Sequence, residues 1–429
     1  MMGDLFQCHR RNVSGHAERY VSGLLSGARR KNIEGISEVI PDAKQEDLQH
    51  FLSDSPWAVE PVWKRVGGEA SKCLGGGSDN MLLVDESAFS KKGKSSVGVA
   101  RQYNGRLGKV DNCQVGVFAS LSLGKRATLV GARLYLPQEW VDAPKRCDAA
   151  GIPKEMQVLK TKPELAWELI ETTDRDGVAY GWVGMDAAYG RDQSLLLKIA
   201  GMGRLFVADV DCDQLVWLAE PAGQRRQKRI EESGARRVDA IWKESAAKAR
   251  PVELRSGENG PVEVQFWRRR VWIWPAECEV AMEVWLFVSE QSDGKVKYSL
   301  SNAPKEIGYE ASAQRQGQRY FVERSFQNGK SHLGMAQYEV RGWRPWHHHM
   351  AMVGAAMYFT LLERETLKEE APMLSVRDIV ELIGGWFASA MTQEDLEERI
   401  ASRHRRRIRQ MQRKLRQAAA KKLAKKVPK

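Results

Sequence analysis

Two short apolar runs that each end in an aspartate constrain the fold of this chain most strongly. Residues 81–84 precede Asp85 in "MLLVDES", and "AYGWVGMD" ends at Asp186. Each run has the length of a buried strand. Strand-like alternation with glycine turns follows Asp85, while "KPELAWELIETTDRDG" and "RDQSLLLKIAGMG" predict helices and "RLFVADVD" a further strand. The order of three strands, helix, strand, helix, strand predicts a mixed α/β sheet.

Changes in composition predict four regions in a chain of 429 residues, which exceeds one ordinary domain. Short helical patterns fill residues 1–78 and predict a helical DNA-binding domain, with a plain helical cap as the alternative. Residues 79–212 and 301–390 form the predicted α/β domain. Residues 213–300, rich in tryptophan and in strand-like segments, predict a β-rich insertion domain between these two parts. Residues 391–429 form a basic C-terminal helix or tail.

The positive charge of the chain is concentrated in this tail. Residues 403–429 hold 13 Lys and Arg and no Asp or Glu, whereas the whole chain carries a net charge of +12. Such a block is typical of an arm that binds nucleic acid, since each cation that meets a phosphate releases counterions. Its candidate contacts are Arg405, Arg406, Arg407 and Arg409. The alternative is a solubilising, disordered tail.

The remaining composition indicates a cytoplasmic protein that does not enter a membrane. No apolar run approaches the roughly 20 residues of a membrane helix, and the N-terminal segment lacks the apolar core of a secretory signal. The six cysteines are scattered without a C-x-x-C pair, which argues against a disulfide framework or a zinc knuckle.

Asp85 and Asp186 are the first candidates for chemistry. A half-buried carboxylate is costly unless it is paired or binds a metal. Two acids from neighbouring strands suit a hard divalent cation such as Mg²⁺, and a third carboxylate would complete a two-metal site. The alternative is that each aspartate only caps the loop after its strand.

Glu323, in "RYFVERSFQNGKSHLGM", is the candidate third acid. On a helix, Arg319 and Lys330 share its face, because they lie four residues before and seven residues after it. The two cations would hold phosphates beside a metal-binding carboxylate. A solvated Arg–Glu ion pair is the alternative.

Several other residues compete for these roles. Glu339 is the rival third acid, and Glu86 is expected to face the opposite side of its strand from Asp85 as a structural residue. Asp209 and Asp211 end a further apparent strand and could be spare acids, but they are interpreted as loop formers. The run His347, His348 and His349 is expected to pack or to face DNA, because consecutive helical residues point in different directions and cannot chelate one ion. The turn "SKKGKSS", with Lys91, Lys92 and Lys94, is either a phosphate contact or a solvated hairpin turn.

The spacing of Arg319, Glu323 and Lys330 matches R-x3-E-x6-K, part of the signature Y-x2-R-x3-E-x6-K of bacterial insertion-sequence DDE transposases. The text around Asp85, around Asp186 and after Glu323 also resembles the insertion-sequence 701 type of that group. This resemblance runs from about residue 50 to residue 365. One position departs from it, since Gln316 stands where the signature has tyrosine.

This resemblance implies an RNase H-like catalytic domain in which Asp85, Asp186 and Glu323 bind two Mg²⁺ ions, with Mn²⁺ able to substitute. It implies cut-and-paste transposition, in which water cleaves DNA at the element end and the freed 3′-hydroxyl then attacks target DNA. In relatives a tryptophan of the insertion receives a flipped base, for which Trp272 and Trp285 are the candidates here. Gln316 puts the hairpin step of some relatives in doubt.

The resemblance also implies partners and a location. The partners are double-stranded DNA, as terminal inverted repeats and as target, and a second copy of the chain in a synaptic homodimer. The location is the bacterial cytoplasm, at the nucleoid. A non-catalytic or domesticated DNA-binding derivative and an RNase H-fold nuclease remain the alternative functions.

Overall fold

A ten-stranded mixed sheet organises the chain, as a computed structural model shows. The structure describes residues 2–8, 11–75, 77–221, 234–257, 260–275, 278 and 281–389, together with some positions between 392 and 416. The mixed α/β architecture expected from the order of strands and helices is confirmed.

Among the described residues, ten strands form the main sheet and four short ones form two separate antiparallel pairs. The strands are β1 (Gln7–Cys8), β2 (Arg11–Asn12), β3 (Met81–Ser90), β4 (Ala100–Asn104), β5 (Lys109–Leu123), β6 (Arg126–Leu134), β7 (Trp182–Met185), β8 (Leu205–Val210), β9 (Leu215–Val216), β10 (Arg236–Arg237), β11 (Arg250–Gly257), β12 (Gly260–Ile273), β13 (Met282–Glu290) and β14 (Val296–Ser301). The main sheet has the order β11-β12-β13-β14-β8-β7-β3-β5-β4, and β6 pairs with β5 on the edge that β4 also uses.

The helices lie before, between and after these strands. They are α1 (Ser14–Leu25), α2 (Ile33–Val39), α3 (Gln45–Ser53), α4 (Val59–Cys73), α5 (Gln138–Val141), α6 (Pro144–Ala149), α7 (Lys162–Arg175), α8 (Ala187–Gly190), α9 (Gln193–Gly201), α10 (Val238–Ser245), α11 (Tyr309–Gln318), α12 (Tyr320–His332), α13 (Trp343–Thr366) and α14 (Val376–Ser389). Among the described residues, no helix is long and apolar enough to cross a membrane.

The centre of the sheet combines antiparallel and parallel pairing. Strands β3, β5 and β6 form an antiparallel meander, while β7 and β8 run parallel to β3 on its other side. Parallel strands need a crossover connection, and α7 and α9 supply the two crossovers. As a result Val84, in the middle of β3, lies side by side with Met185 at the end of β7 and with Ala208 near the end of β8.

Helices cover both faces of this central sheet. On one face, α12 and α13 pack on Phe118 of β5, whose ring lies 5.4 Å from that of Phe326 and 6.3 Å from that of Trp346. On the other face lies α7, and the glycine at position 131 of β6 leaves room for Leu169, which a Cβ there would meet at 2.8 Å. Burial on both faces explains why the strand runs are continuously apolar rather than alternating.

The strands of the predicted insertion extend the same sheet. Strand β14 pairs antiparallel with β8, and β13, β12 and β11 follow it outward as a meander. Helix α11 then returns the chain over β11 and β13 to the centre of the molecule. The region 213–300 is thus joined to the central strands by backbone hydrogen bonds, and its boundaries as a domain stay a prediction.

The N-terminal helices surround α13. Helix α13 is buried along most of its length and contacts α1, α3 and α4 as well as β6. The glycine at position 354 permits the closest approach, since a Cβ there would lie 2.2 Å from the ring of Trp63. This burial on all sides accounts for the apolar sequence of this 24-residue helix.

Candidate active site

Three aspartates form a row across the three parallel strands. Val84 pairs with Met185 and Met185 pairs with Ala208, so the next residue of each chain segment is Asp85, Asp186 or Asp209. Neighbouring residues in a sheet point to the same face, and adjacent strands lie about 4.8 Å apart. We call Asp85, Asp186 and Asp209 the acid row.

The sequence reading of two of these positions needs correction. Asp85 does not end its strand, because β3 continues to Ser90 against β5. It lies where the shorter neighbour β7 ends, and this exposes one edge of β3 at Asp85. Asp209 is not a loop former, since it lies within β8. Its apolar run "RLFVAD" repeats the pattern seen before Asp85 and Asp186, but that repetition alone did not show that the three strands lie side by side.

Arg319 joins the acid row to Glu323. Its Nε lies 2.9 Å from Asp209 Oδ2, its Nη1 lies 3.7 Å from Asp85 Oδ2, and its Nη2 lies 3.2 Å from Glu323 Oε1. The side chain of Arg319 is 15% exposed, so its contacts with Asp85 and Asp209 are shielded from solvent. The predicted i,i+4 contact between Arg319 and Glu323 is present. In this arrangement, however, the guanidinium faces carboxylates rather than an open surface for phosphate.

Glu323 is held over the sheet by the buried side of α12. Phe321, Val322 and Phe326 are buried, and Ser325 Oγ lies 3.1 Å from Ser120 Oγ of β5. The carboxylate itself is on the outer side, with 54% of its side chain exposed. Helix α12 starts at Tyr320, and Arg319 is the junction between α11 and α12 rather than an interior residue of one long helix.

The electrostatics of the acid row favour a bound cation. Burial, together with the charge of Asp186, raises the pKa of Asp85 to about 8 against the opposing charge of Arg319. Burial also raises the pKa of Asp186. The backbone N–H of Glu86 donates to Asp85 Oδ1 at 2.7 Å, and that of Ala188 donates to Asp186 Oδ1 at 3.0 Å. The two carboxylates are therefore oriented but short of positive charge.

These oxygen donors fit a hard divalent cation better than a softer one. Carboxylates are the ligands that Mg²⁺ and Mn²⁺ prefer, and a divalent ion beside Asp85 and Asp186 would relieve their repulsion. In the described part of the chain, no three His, Cys, Asp or Glu side chains already surround one point closely enough to hold an ion. Glu323 is turned to Arg319, so it would have to leave that contact to join the two aspartates.

The basic residues predicted to contact DNA divide into engaged and exposed groups. Lys330 Nζ donates to the carbonyl of Ala88 at 3.0 Å, and burial lowers its pKa to about 8. Lys91 lies 3.6 Å over the ring of Tyr338, and burial likewise lowers its pKa to about 8. Lys92 and Lys94 are exposed in the turn after β3.

The tail residues are described only in part. Arg405 and Arg409 are helical and exposed. Arg406 and Arg407 lie outside the described residues.

The two tryptophans predicted to receive a flipped base lie on adjacent strands of the insertion. Both Trp272 of β12 and Trp285 of β13 are half-buried. The guanidinium groups of Arg268 and Arg270 lie 4.5 and 5.1 Å from the ring of Trp285. The indole N–H of Trp285 donates to the carbonyl of Pro304 at 3.2 Å.

The competing acids lie in other surroundings. Glu339 is exposed and lies 3.9 Å from Arg30 at the surface. Glu86 faces α7, where Lys162 Nζ donates to it at 2.5 Å, as expected for the opposite side of β3. Asp211 is exposed beyond β8, 3.5 Å from Arg191.

The three histidines are part of the packed interior. His348 lies 2.8 Å from the Leu52 carbonyl and 2.9 Å from the Trp57 carbonyl, and His349 lies 2.8 Å from the Tyr20 hydroxyl. His347 lies 3.0 Å from the Trp343 carbonyl, one turn earlier in α13. These contacts agree with the packing interpretation.

Comparison with known proteins adds family information to this geometry. The family described as "DDE superfamily endonuclease" matches residues 4–269, a range that includes Asp85 and Asp186 and stops before Glu323. A probable transposase for insertion sequence element IS701 from Microchaete diplosiphon is 31% identical over 178 residues, which are 41% of this chain and 43% of that protein. The chain thus matches less than half the length of this curated relative. A cryo-EM structure of the piggyBac transposase synaptic complex with hairpin DNA aligns with 91% of this chain and 73% of that chain, at a TM-score of 0.42 and 10% identity.

Proposed function

The chain belongs to the DDE superfamily endonuclease family, and we propose on this basis that it is a DNA transposase acting by cut-and-paste. Asp85, Asp186 and Glu323 are the proposed catalytic acids. The observation that carries the proposal is the adjacency of Asp85 and Asp186 on parallel strands, where each charge opposes ionisation of the other. Two such acids with a third on a facing helix are suited to phosphodiester chemistry.

The proposed sheet is RNase H-like. The order β6-β5-β3-β7-β8, with an antiparallel meander followed by two strands parallel to its first member, supports this assignment. The acids then stand where the parallel pairing of β3, β7 and β8 ends, on the carboxyl side of β7, and open α/β sheets bind ligands on that side. Residues 79–212 and 301–390 are the proposed catalytic domain, 213–300 the insertion, 1–78 the DNA-binding helices and 391–429 the basic tail.

The proposed cofactor is Mg²⁺, two ions per site, with Mn²⁺ able to substitute. When bound, a divalent ion would supply positive charge for the attacking and leaving oxygens of the phosphodiester. Asp85 and Asp186 would hold it from the sheet, and Glu323 from α12. The backbone N–H groups of Glu86 and Ala188 fix the two aspartates in place for this role.

The proposed reaction has two phosphoryl-transfer steps. In the first, a water oxygen bonds to phosphorus, the bond from phosphorus to the 3′ oxygen breaks, and a free 3′-hydroxyl and a 5′-phosphate result. In the second, that 3′-hydroxyl loses its proton, bonds to a target phosphorus and displaces the target strand's own 3′ oxygen. The first step is a hydrolysis, in which a P–O bond to water replaces the P–O bond to the 3′ oxygen. The second is a transesterification, in which one phosphate ester bond replaces another. Neither step needs a redox partner.

The proposed DNA contacts are the basic residues near the acids and in the tail. Lys92 and Lys94 are exposed just after β3 and need no rearrangement to meet a phosphate. Lys91, Lys330 and Arg319 would first have to exchange their contacts within the protein. The tail arginines are proposed to add sequence-independent, salt-sensitive affinity.

Other elements of the proposal concern the partners. Double-stranded DNA, as element ends and as target, is the proposed substrate, and a homodimer at the bacterial nucleoid is the proposed assembly. Trp272 is the better placed candidate for a flipped base, because Arg268 and Arg270 already flank Trp285.

The test is cleavage of labelled DNA that carries the element ends, with Mg²⁺, by the full-length chain. Asp85→Ala, Asp186→Ala and Glu323→Ala should each lower the cleavage rate by about a thousandfold or more while DNA binding is retained. Glu339→Ala is the matched control, since this exposed glutamate pairs with Arg30 and should leave cleavage unchanged. Normal cleavage by Glu323→Ala together with loss in Glu339→Ala would refute the assignment of the third acid. Binding without any cleavage by the unmodified protein would favour the non-catalytic alternative.

A further inference from the structure

A buried chain of hydrogen bonds leads from Gln316 to the candidate acids. Gln316 Nε2 donates to Ser299 Oγ at 2.8 Å, and the Ser299 hydroxyl donates to Asp209 Oδ1 at 2.6 Å. Asp209 Oδ2 accepts from Arg319 Nε at 2.9 Å. The far side of the same guanidinium meets Asp85 and Glu323. Gln316 is the position at which this chain departs from the signature tyrosine.

Burial fixes the hydrogen-bond partners along this chain of contacts. Ser299 is 0% exposed and Gln316 4% exposed, so neither can exchange its partner for water. The single hydroxyl proton of Ser299 is used on Asp209, which leaves a lone pair to accept from Gln316. Both oxygens of Asp209 are thereby engaged, one by Ser299 and the other by Arg319. The path from Gln316 Nε2 through Ser299 and Asp209 to Arg319 is therefore continuously hydrogen-bonded, although Gln316 Oε1 has no hydrogen-bond partner among the described residues.

Asp209 also determines how the charge of Arg319 is shared. The contact to Asp209 is the shortest of the three that Arg319 makes with carboxylates. Because Asp209 Oδ2 holds the Nε side of the guanidinium at 2.9 Å, Arg319 stays 3.7 Å from Asp85 Oδ2. Without that contact, Arg319 would be free to pair more closely with Asp85 and Glu323.

We propose that Gln316, Ser299 and Asp209 are positioning residues that hold Arg319 in place and so set how strongly Asp85, Asp186 and Glu323 bind a divalent cation. The inference rests on the proposed function for the identity of the metal-binding acids. Arg319 competes with the cation for these carboxylates, and the network limits that competition. Gln316 takes part because its amide can donate to Ser299 while Ser299 donates onward.

The experiment is calorimetric titration of the full-length protein with Mn²⁺ in the absence of DNA. Partners beyond the direct ligands typically change metal affinity by about 10–100-fold when removed. We expect Asp209→Asn to weaken Mn²⁺ binding about tenfold, and Ser299→Ala and Gln316→Ala by a few-fold each. Gln318→Ala is the matched control, because this glutamine of the same helix donates to Ser122 Oγ at 2.6 Å and to the Gly124 carbonyl at 2.9 Å, outside the network. It should bind Mn²⁺ as the unmodified protein does.

The thermal midpoint of each variant separates positioning from loss of fold. A lowered Mn²⁺ affinity in Gln316→Ala, at a thermal midpoint no lower than that of Gln318→Ala, supports the network. Equal Mn²⁺ affinity in Asp209→Asn, Gln316→Ala and the unmodified protein overturns it while leaving the proposed acids untouched. Saturable Mn²⁺ binding that Asp85→Ala does not reduce would overturn the proposed function itself, and the network with it.

Discussion

The acid row and the histidines of α13 are both sets of buried titratable side chains, but their surroundings differ. Asp85, Asp186 and Asp209 face one another and share one cation, Arg319, so their charges are only partly balanced. His348 and His349 contact carbonyl and hydroxyl oxygens of the surrounding segments, and each also packs against an aromatic ring. The first arrangement leaves negative charge for a ligand to balance, whereas in the second burial disfavours the charged form of each histidine.

This difference separates a site from a core. Burial lowers the pKa of His349 to about 3, so this histidine is neutral at physiological pH. Burial also lowers the pKa of His348, to about 4, against the opposing effect of the Leu52 and Trp57 carbonyls. Three adjacent histidines suggest metal binding by composition alone, yet their side chains point to different helices. Residue type therefore says less about function than whether the surroundings compensate the charge.

The largest expected effect comes from removing the cation of the acid row. Arg319→Met would leave Asp85 and Asp209 without their partner, and breaking a buried pair costs about 3 kcal/mol or more. The loss in free energy of unfolding should be greatest near pH 8 and shrink towards about pH 5.5. The reason is that Asp85 and Asp186, whose pKa values are raised, become protonated and no longer carry an unpaired charge. Urea unfolding at the two pH values measures it.

A surface arginine on α12 is the control for that substitution. Arg324 donates to Gln327 at the exposed side of the helix, so Arg324→Met should change stability by less than about 0.5 kcal/mol at either pH. If Arg319→Met were as stable as the unmodified protein at about pH 8, the acid row would not need Arg319.

A smaller effect is expected from the histidines, and with the opposite dependence on pH. The folded-state pKa of His349 is depressed, so the unfolded chain binds the extra proton and stability falls as the pH drops below about 6.5. Between about pH 6.5 and 5 this one group should cost about 2 kcal/mol. His349→Gln, which keeps a polar partner for Tyr20 but cannot titrate, should reduce the acid slope by that amount.

The exposed His404 of the tail provides the comparison, and His404→Gln should leave the slope as it is. An unchanged slope in His349→Gln would mean that this histidine is not held neutral by the core.

Sequence reasoning reached the parts of the site that local pattern determines. The apolar runs before Asp85 and Asp186 define strands, and the spacing of Arg319 and Glu323 defines a helical pair. Asp209 was missed because its place in the acid row depends on the parallel pairing of β7 with β8, which short-range pattern does not reveal. The same holds for Gln316. Its partner Ser299 lies on β14, and the contact between them depends on the pairing of β14 with β8, which the sequence does not reveal.

The insertion illustrates the same limit at the level of the fold. Its strands were recognisable from alternating Trp, Val and Phe, but their addition to β8 depends on a free sheet edge elsewhere in the chain. The path β14-β13-β12-β11 continues the central sheet outward from that edge. Local composition predicted the strands, and tertiary pairing determined where they lie.

The most direct test of the account compares two neighbours in the acid row under identical conditions. Cleavage of DNA carrying the element ends is measured for Asp186→Asn and Asp209→Asn over a range of Mg²⁺ concentrations. The account predicts that Asp186→Asn loses cleavage at every concentration, while Asp209→Asn cleaves but requires several-fold more Mg²⁺. Undiminished cleavage by Asp186→Asn, with loss in Asp209→Asn at every concentration, would contradict it.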